Sequence, residues 1–246
     1  MKIQKTHMLT QYLIKLFARF SIFVAVLVTY IVNKQFLYKV MTMKFTQLGV
    51  TPIHLLWAVF MGLMLIHLFP GKRILTMALR KRKKENFRAV ADYEELELLH
   101  FVQKQNIRAW LVLLVWLIFN GVFGLLYVFH LIDNADLLML TVFYFLCDYI
   151  CILFFCPFQT FIMKNKCCVN CRIYDWGHFM MFTPMLFIRN FFSWSLFFTS
   201  LIVLIHWEII YAKYPERFWS GSNQNLQCAN CKDKTCQLKQ KIQKTN

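Results

Sequence analysis

The chain is poor in the residues that interrupt helices and poor in negative charge. Its 246 residues include only 7 Gly and 5 Pro, and 12 Asp and Glu stand against 28 Lys and Arg. We find no internal repeat and no low-complexity segment, which excludes a solenoid or a long disordered linker. The apolar runs therefore continue with few breaks, which is not typical of a soluble domain of this length.

The sequence also lacks the short motifs of common enzymes. It has no P-loop, no G-x-G-x-x-G, no G-x-S-x-G, no H-E-x-x-H and no C-x-x-C-H for covalent haem. His54 and His67 are predicted on different faces of one helix, which argues against two stacked haems. The net charge of +16 comes without a nucleic-acid-binding motif, so we assign it to membrane topology and expect no nucleic acid partner.

Long apolar segments are what the chain has instead. Hydrophobic residues make up 59% of it, and they form runs near the ~20 residues that span a bilayer. The pattern predicts an all-α polytopic integral membrane protein with four clear transmembrane helices and a C-terminal broken helix or helical hairpin. The four helices are predicted at 13–33, 53–69, 109–130 and 135–157, and the C-terminal membrane region at 179–211.

The basic residues predict the side of the membrane on which each connection lies. The connection 72–108 contains ten Lys and Arg, whereas 131–136 contains none. The positive-inside rule then places 72–108, the N-terminus and the segment 163–178 in the cytoplasm. The second half of 72–108 predicts an amphipathic surface helix that contacts anionic lipid headgroups. No cleavable signal follows the first apolar block, which favours a bacterial inner membrane.

The C-terminal membrane region allows two interpretations. A single helix over 179–211 would be ~49 Å long, so a break is predicted at Arg189-Asn190. Either an interfacial helix precedes one crossing with the tail outside, or a hairpin returns the tail to the inside. Seven Lys and Arg in the tail favour the second. The chain then divides into a helix pair (1–71), a basic connection (72–108), a second helix pair (109–162), a first Cys segment (163–178), the membrane region (179–211) and a basic tail (212–246).

Six cysteines in two clusters are the strongest chemical signal. The first cluster holds Cys167, Cys168 and Cys171, and the second holds Cys228, Cys231 and Cys236. Each contains a C-x2-C pair, so Cys168, Cys171, Cys228 and Cys231 are predicted as metal ligands, with Cys167 and Cys236 as spare thiolates. His178 is a candidate extra ligand, and Asp175 lies near it in sequence. A shared reducing compartment favours metal over disulfides.

The number of thiols bears on the metal and on the function. Six cysteines exceed the four ligands that zinc needs, which favours an iron–sulfur cluster. Such a cluster would transfer electrons to or from a membrane or cytoplasmic partner. The partner would be a quinone or an acidic electron carrier docked on 72–108. The alternative is a membrane scaffold or transporter subunit with structural zinc, and a weaker one is a thiol–disulfide enzyme. A protein partner or a homo-oligomer is expected. The zinc-knuckle glycine and the ferredoxin run C-x2-C-x2-C-x3-C-P are both absent.

Asp148 lies near the centre of a predicted membrane helix. An ionisable residue is costly at that depth and faces protein or water. Asn120, near the middle of 109–130, is predicted as its hydrogen-bond partner. The pair is the candidate intramembrane polar site, either a proton or cation relay or a single interhelical contact. Cys147, Cys151 and Cys156 are predicted to serve as small apolar residues.

Overall fold

The computed structural model describes residues 6–37, 51–69, 77–91, 93–165, 167–231, 233–234 and 236–239. These residues form helices joined by short connections, and no strand occurs among them. An isolated antiparallel bridge joins Ala89 to Asn223. The predicted all-α class is therefore confirmed.

The main helices are α1 (His7–Val32), α2 (Pro52–Leu68), α3 (Glu95–Val128), α4 (Asn134–Leu153), α5 (Gly177–Phe182) and α6 (Phe191–Lys213). Four of them, α1, α3, α4 and α6, are long and apolar enough to cross a membrane. α2 has 17 residues and is only ~26 Å long, which falls short of a full span. Four long helices are predicted and four are found, but the two sets differ in one member. α6 is long enough to span, whereas the predicted helix 53–69 is the shorter α2.

α3 is longer than the predicted block 109–130 because it begins inside the basic connection. Its 34 residues measure ~51 Å, so its first turns extend beyond a hydrocarbon core of ~30 Å. The helix continues from its polar first turns into the apolar block because no Gly or Pro lies between Glu95 and Asn120. The surface helix predicted in 72–108 is therefore continuous with the third membrane block, while 70–76 lie outside the described residues.

The long helices alternate in direction, which gives the bundle two ends. At one end, which we call the Cys end, the Thr6 hydroxyl donates to the carbonyl oxygen of Asp233 at 3.0 Å. At the opposite, far end, the Lys34 ammonium lies 2.9 Å from a carboxylate oxygen of Asp133 and 2.8 Å from one of Asp136. α1 and α3 run from the Cys end to the far end, and α2, α4 and α6 run back.

The chain crosses the bundle once more before α6, as a buried central segment at 174–187. This segment consists of α5 between two 3-10 turns, Tyr174–Trp176 and Thr183–Phe187. It packs against α3, α4 and α6, and its apolar side chains are largely buried. Gly124 of α3 permits the closest approach, because an added Cβ would lie 2.4 Å from the Phe187 ring.

The predicted break at Arg189-Asn190 is where α6 begins. The Asn190 side-chain oxygen accepts a hydrogen bond from the Phe192 amide at 3.2 Å and so caps the helix. The central segment and α6 together form a hairpin that returns the tail to the Cys end. This arrangement agrees with the second interpretation of 179–211 in bringing both cysteine clusters to one end, but α6 is a long helix of 23 residues and not a short segment.

Candidate functional site

A buried lysine holds the loop that carries the first cysteine cluster. The Lys81 ammonium donates hydrogen bonds to the carbonyl oxygens of Val169 and Cys171, both at 2.8 Å. The residue is 1% exposed, and its ammonium faces the rings of Trp207 and Phe218. Burial lowers the pKa of Lys81 to about 8, although the charges of the nearby thiols oppose this change. The buried Lys81 amine therefore holds the backbone of the first cysteine loop.

The tail contacts the same loop through a second buried lysine. The Lys239 ammonium donates to Oε1 of Gln159 at 2.6 Å and to Sγ of Cys168 at 3.1 Å. Gln159 is presented by a π-helical turn, Phe158–Ile162, an irregularity that is frequent at functional sites. Both cysteine clusters consequently lie at the Cys end.

The tail is attached to the basic connection before it reaches the loop. The Val90 amide donates to the Ser222 carbonyl at 3.0 Å, and the Gln224 amide donates to the Arg88 carbonyl at 2.8 Å. These backbone bonds fix the position of the chain just before the second cluster. The second cluster is therefore placed by the fold and not by the thiols alone.

One thiol from each cluster is in direct contact with the other. Cys167 and Cys236 share a side-chain hydrogen bond. Cys228 and Cys231 lie close enough to Cys236 for their charges to act on it, and Cys167 acts on Cys231 in the same way. Cys228 is exposed, and the other three are partly buried. We call Cys167, Cys228, Cys231 and Cys236 the surface thiol group.

The surroundings of Cys167 favour its thiolate. The hydrogen bond from Cys236 lowers the pKa of Cys167 to about 6, with smaller contributions from the backbone amides of Asn170 and Val169 and from the Lys81 ammonium. The same bond raises the pKa of Cys236. The two thiols therefore shift in opposite directions, and Cys167 is the one whose thiolate is favoured.

A second set of cysteines lies deeper. Cys168 and Cys171 are 6% and 5% exposed, and both interact electrostatically with Cys156. Burial raises the pKa of Cys171 to about 12 and also raises that of Cys168. The thiol of Cys156 is hydrogen-bonded to that of Cys151. We call Cys156, Cys168 and Cys171 the inner thiol group.

The predicted ligand set is divided between these two groups. Cys168 and Cys171 belong to the inner group, whereas Cys228 and Cys231 belong to the surface group with the two cysteines assigned as spare. In the part of the chain that the structure describes, no group of three or more His, Cys, Asp or Glu side chains is arranged to hold a metal ion. The ligand assignment to Cys168, Cys171, Cys228 and Cys231 thus remains a prediction.

The predicted contact between Asp148 and Asn120 is wrong. Asp148 instead accepts a hydrogen bond from Arg19 of α1, with 2.8 Å between Nη1 and Oδ2. Asn120 is buried, accepts a bond from the Tyr144 hydroxyl at 3.2 Å and donates to the Trp116 carbonyl at 3.0 Å. A cation on the neighbouring helix neutralises the carboxylate, which an amide cannot do.

His178 and Asp175 belong to a polar cluster beneath the cysteine loop. Oδ1 of Asp175 lies 2.8 Å from Nδ1 of His67, and its Oδ2 lies 3.7 Å from the Arg82 guanidinium. The His178 ring meets the His67 ring edge-on, with centroids 4.7 Å apart. Asp175 and Arg82 are each 3% exposed. His178 is therefore placed among histidine and carboxylate groups, apart from the second cysteine cluster.

Sequence reasoning missed Lys81, Arg82 and Arg19 as residues of the site. Lys81 and Arg82 stand in the basic run 80–84, where all five charges look equally solvated, and only the packing separates the two buried ones from exposed Lys84. Arg19 precedes an apolar block and resembles a flanking charge. Each of these residues is identified only by a partner that is distant in sequence. Asp148 is the partner of Arg19, and Asp175 is the partner of Arg82.

Comparison with known proteins gives no relative of this chain. No protein family, no curated protein and no solved structure matches it. The chemistry of the site therefore rests on its own residues.

Proposed function

We propose that this chain is an integral membrane protein that binds a metal centre through the surface thiol group. The proposal rests on one observation above all: the tail that carries the second cluster docks on the loop that carries the first, through the 3.1 Å bond from Lys239 to Cys168. Cys167 and Cys236 interact there, with Cys228 and Cys231 near them. Four thiolates are the ligand set of iron–sulfur clusters and of structural zinc.

The favoured centre is an iron–sulfur cluster that transfers electrons. Metal binding requires deprotonated thiols, and the low pKa of Cys167 supplies one before the metal arrives. Lys81 adds a positive charge behind the loop, which offsets the negative charge of a thiolate-ligated cluster. Zinc in the same four thiolates would make the protein a scaffold or transporter subunit with a structurally fixed tail.

The proposed topology places the Cys end in the cytoplasm of a bacterial cell, with the N-terminus on the same side. The ten Lys and Arg of 72–108 support this orientation, and the same residues attract anionic lipid headgroups or an acidic electron carrier. A protein partner or a second copy of the chain would receive or supply the electrons.

The test is metal and acid-labile sulfide analysis of protein purified without oxygen, together with a visible absorption spectrum. Iron and sulfide in similar amounts are expected, and Cys167→Ser and Cys231→Ser should remove both. Cys147→Ser is the matched control, since this thiol lies in α4 outside both groups. Zinc without iron would establish the scaffold alternative, and absence of both metals would overturn the proposal.

Cys168→Ser distinguishes the two ligand sets. If the surface thiol group holds the metal, this variant keeps its full metal content, because Cys168 is bonded to Lys239 and Gln159. Loss of metal in Cys168→Ser with retention in Cys236→Ser would restore the ligand set predicted from the C-x2-C pairs.

A second candidate function is thiol–disulfide exchange. It is favoured by the direct contact of Cys167 and Cys236, because a thiolate beside a thiol is the arrangement of a redox-active pair. Mass spectrometry of the metal-free protein after mild oxidation should then show one Cys167–Cys236 disulfide. A mixture of disulfides involving Cys228 and Cys231 would argue against a dedicated pair.

A further inference from the structure

A cavity of about 220 Å³ lies beside the polar cluster, between α1, α2, α4 and α5. This volume is far above the ~10–15 Å³ that a cavity needs to hold a single water. Asp148, His67, Asp175 and His178 all line it, although they come from four different elements. The space is therefore large enough for a small ring and carries groups able to bind one.

The charges along this cavity are already paired. Arg19 donates to Asp148 at 2.8 Å and to the Phe145 carbonyl at 2.6 Å, and its guanidinium lies between the rings of Phe145 and Tyr149. Asp175 is engaged by His67 and Arg82. Lys15 lines the cavity from an exposed position. Because the inner charges cancel, the cavity suits a neutral ligand better than an ion.

His178 is the polar group that remains open to a ligand. Within the described residues its ring touches His67 edge-on and takes part in no hydrogen bond. A neutral imidazole offers one N–H donor and one acceptor nitrogen, and the tautomer decides which faces the ligand. It is therefore able to donate to a carbonyl oxygen or to accept from a hydroxyl group at the same position.

The residues that line the cavity, and its position behind α1, limit further which kind of ligand fits. Leu63, Ile66, Ile152 and Met181 supply apolar contacts, and α1 separates the space from lipid by the thickness of one helix. Tyr174, another wall residue, follows Cys171 by three residues, which spans at most ~11 Å of chain. The cavity therefore fits a neutral, partly apolar ligand with a carbonyl or hydroxyl oxygen that His178 can bond, and such a ligand would lie near the first cysteine cluster.

We propose that this cavity binds the head group of a membrane quinone, with His178 as the hydrogen-bond partner of one ring oxygen. The choice of a quinone among neutral rings rests on the proposed redox function of the neighbouring thiol centre. Asp148 and Arg19, paired with each other, line the same cavity. The apolar wall residues would contact the ring.

The test is a titration of the full-length protein in lipid nanodiscs with decylubiquinone, followed by quenching of tryptophan fluorescence. Decylbenzene, which has the chain but no carbonyl oxygen, serves as the control ligand. His178→Ala should weaken quinone binding about tenfold or more, because one ring oxygen loses its partner. His100→Ala, at an exposed position on α3, is the matched control and should bind as the wild type does.

A second variant guards against misfolding at His178. Leu63 is 42% exposed, so Leu63→Phe narrows the cavity from its edge without disturbing the core, adds no tryptophan to the signal, and should weaken binding about tenfold or more. Leu55→Phe, exposed on the same helix outside the cavity, should leave binding unchanged. Equal quenching in all four variants would mean partition into lipid and would overturn the proposal.

Metal content measured on the same preparations separates this inference from the proposed function. Saturable quinone binding by protein that holds no metal would keep the cavity assignment and refute the metal centre. A metal-loaded protein that shows no saturable binding would do the reverse.

Discussion

The surface and inner thiol groups both consist of cysteines, yet they differ in burial, and the pKa shifts of Cys167 and Cys168 have opposite directions. The surface group contains the hydrogen-bonded pair Cys167 and Cys236, and its member Cys228 is exposed. In the inner group, burial raises the pKa of Cys168 and Cys171, and Lys239 bonds to the first of them. Adjacent residues Cys167 and Cys168 thus belong to different groups. The difference teaches that the environment of a thiol, and not its place in a C-x2-C pair, sets its chemistry.

The strongest way to break this comparison is to remove the partner of Cys167. In metal-free protein, Cys236→Ala should raise the pKa of Cys167 from about 6 toward the ordinary thiol value of about 8.5, because the thiolate loses its main donor. Since the thiolate exists above the pKa, alkylation of Cys167 at pH 7 should become about tenfold slower or more. Mass spectrometry of iodoacetamide-treated protein measures the rate residue by residue. A half-maximal rate that stays near pH 6 in the variant would contradict the assignment.

Lys81→Met tests whether the buried ammonium keeps the two groups apart. The variant leaves the carbonyls of Val169 and Cys171 without their donor, which should lower the free energy of unfolding by about 2 kcal/mol or more. Cys171 should then become accessible to alkylation under native conditions. Denaturant unfolding and thiol labelling provide the two measurements. Lys84→Met, at an exposed position of the same basic run, should change neither, and an equal effect there would refute a specific role for Lys81.

Lys239→Met affects the inner group alone. It removes the bonds to Gln159 and Cys168, with an expected loss of about 1–2 kcal/mol in the free energy of unfolding. Labelling of Cys168 should increase, while the pH dependence of Cys167 stays unchanged. Lys213→Met, exposed at the end of α6, is the control for loss of a tail charge. If Cys168 stays protected in Lys239→Met, the tail is not what shields it.

The smallest effect is expected at the far end. Lys34 pairs with Asp133 and Asp136 at a partly exposed site, where such ion pairs contribute ~0–1 kcal/mol. Lys34→Met should lower the unfolding free energy by that amount and alter the labelling of no thiol. A change at Cys167 would show that the two ends of the bundle are coupled. The variant is therefore the baseline for the three changes at the Cys end.

Much of the fold follows from the sequence, because the length of an apolar run and the Pro or Asn residues at its ends are local signals. The break before α6 at Asn190 is predicted and found, and the tail lies against the first cysteine loop, where Lys239 bonds to Cys168. The length of α3 is underestimated, because a run of good helix formers continues from Glu95 through the polar turns. Local patterns therefore locate helices better than they locate membrane boundaries.

The site is less predictable because it depends on packing between distant segments. Nothing near Asp148 in sequence points to Arg19, which is 129 residues away, and the choice of Asn120 reflects only similar predicted depth. The division of the cysteines depends on which way each side chain leaves a non-helical loop, which residue spacing does not encode. Lys81 and Arg82 become special only once the hairpin of 174–187 and α6 covers them.

The docking of the tail on the first cysteine loop has a consequence for biosynthesis. Cys228, Cys231 and Cys236 leave the ribosome only after every long helix described here has been made, and Lys239 follows them. A chain that stalls or inserts α6 in the wrong direction would leave Cys167 without Cys236. The contact between the two cysteine clusters is therefore the last part of the fold to form. If the surface thiol group holds a metal as proposed, a metal-loaded protein would report that all the preceding helices had been inserted correctly.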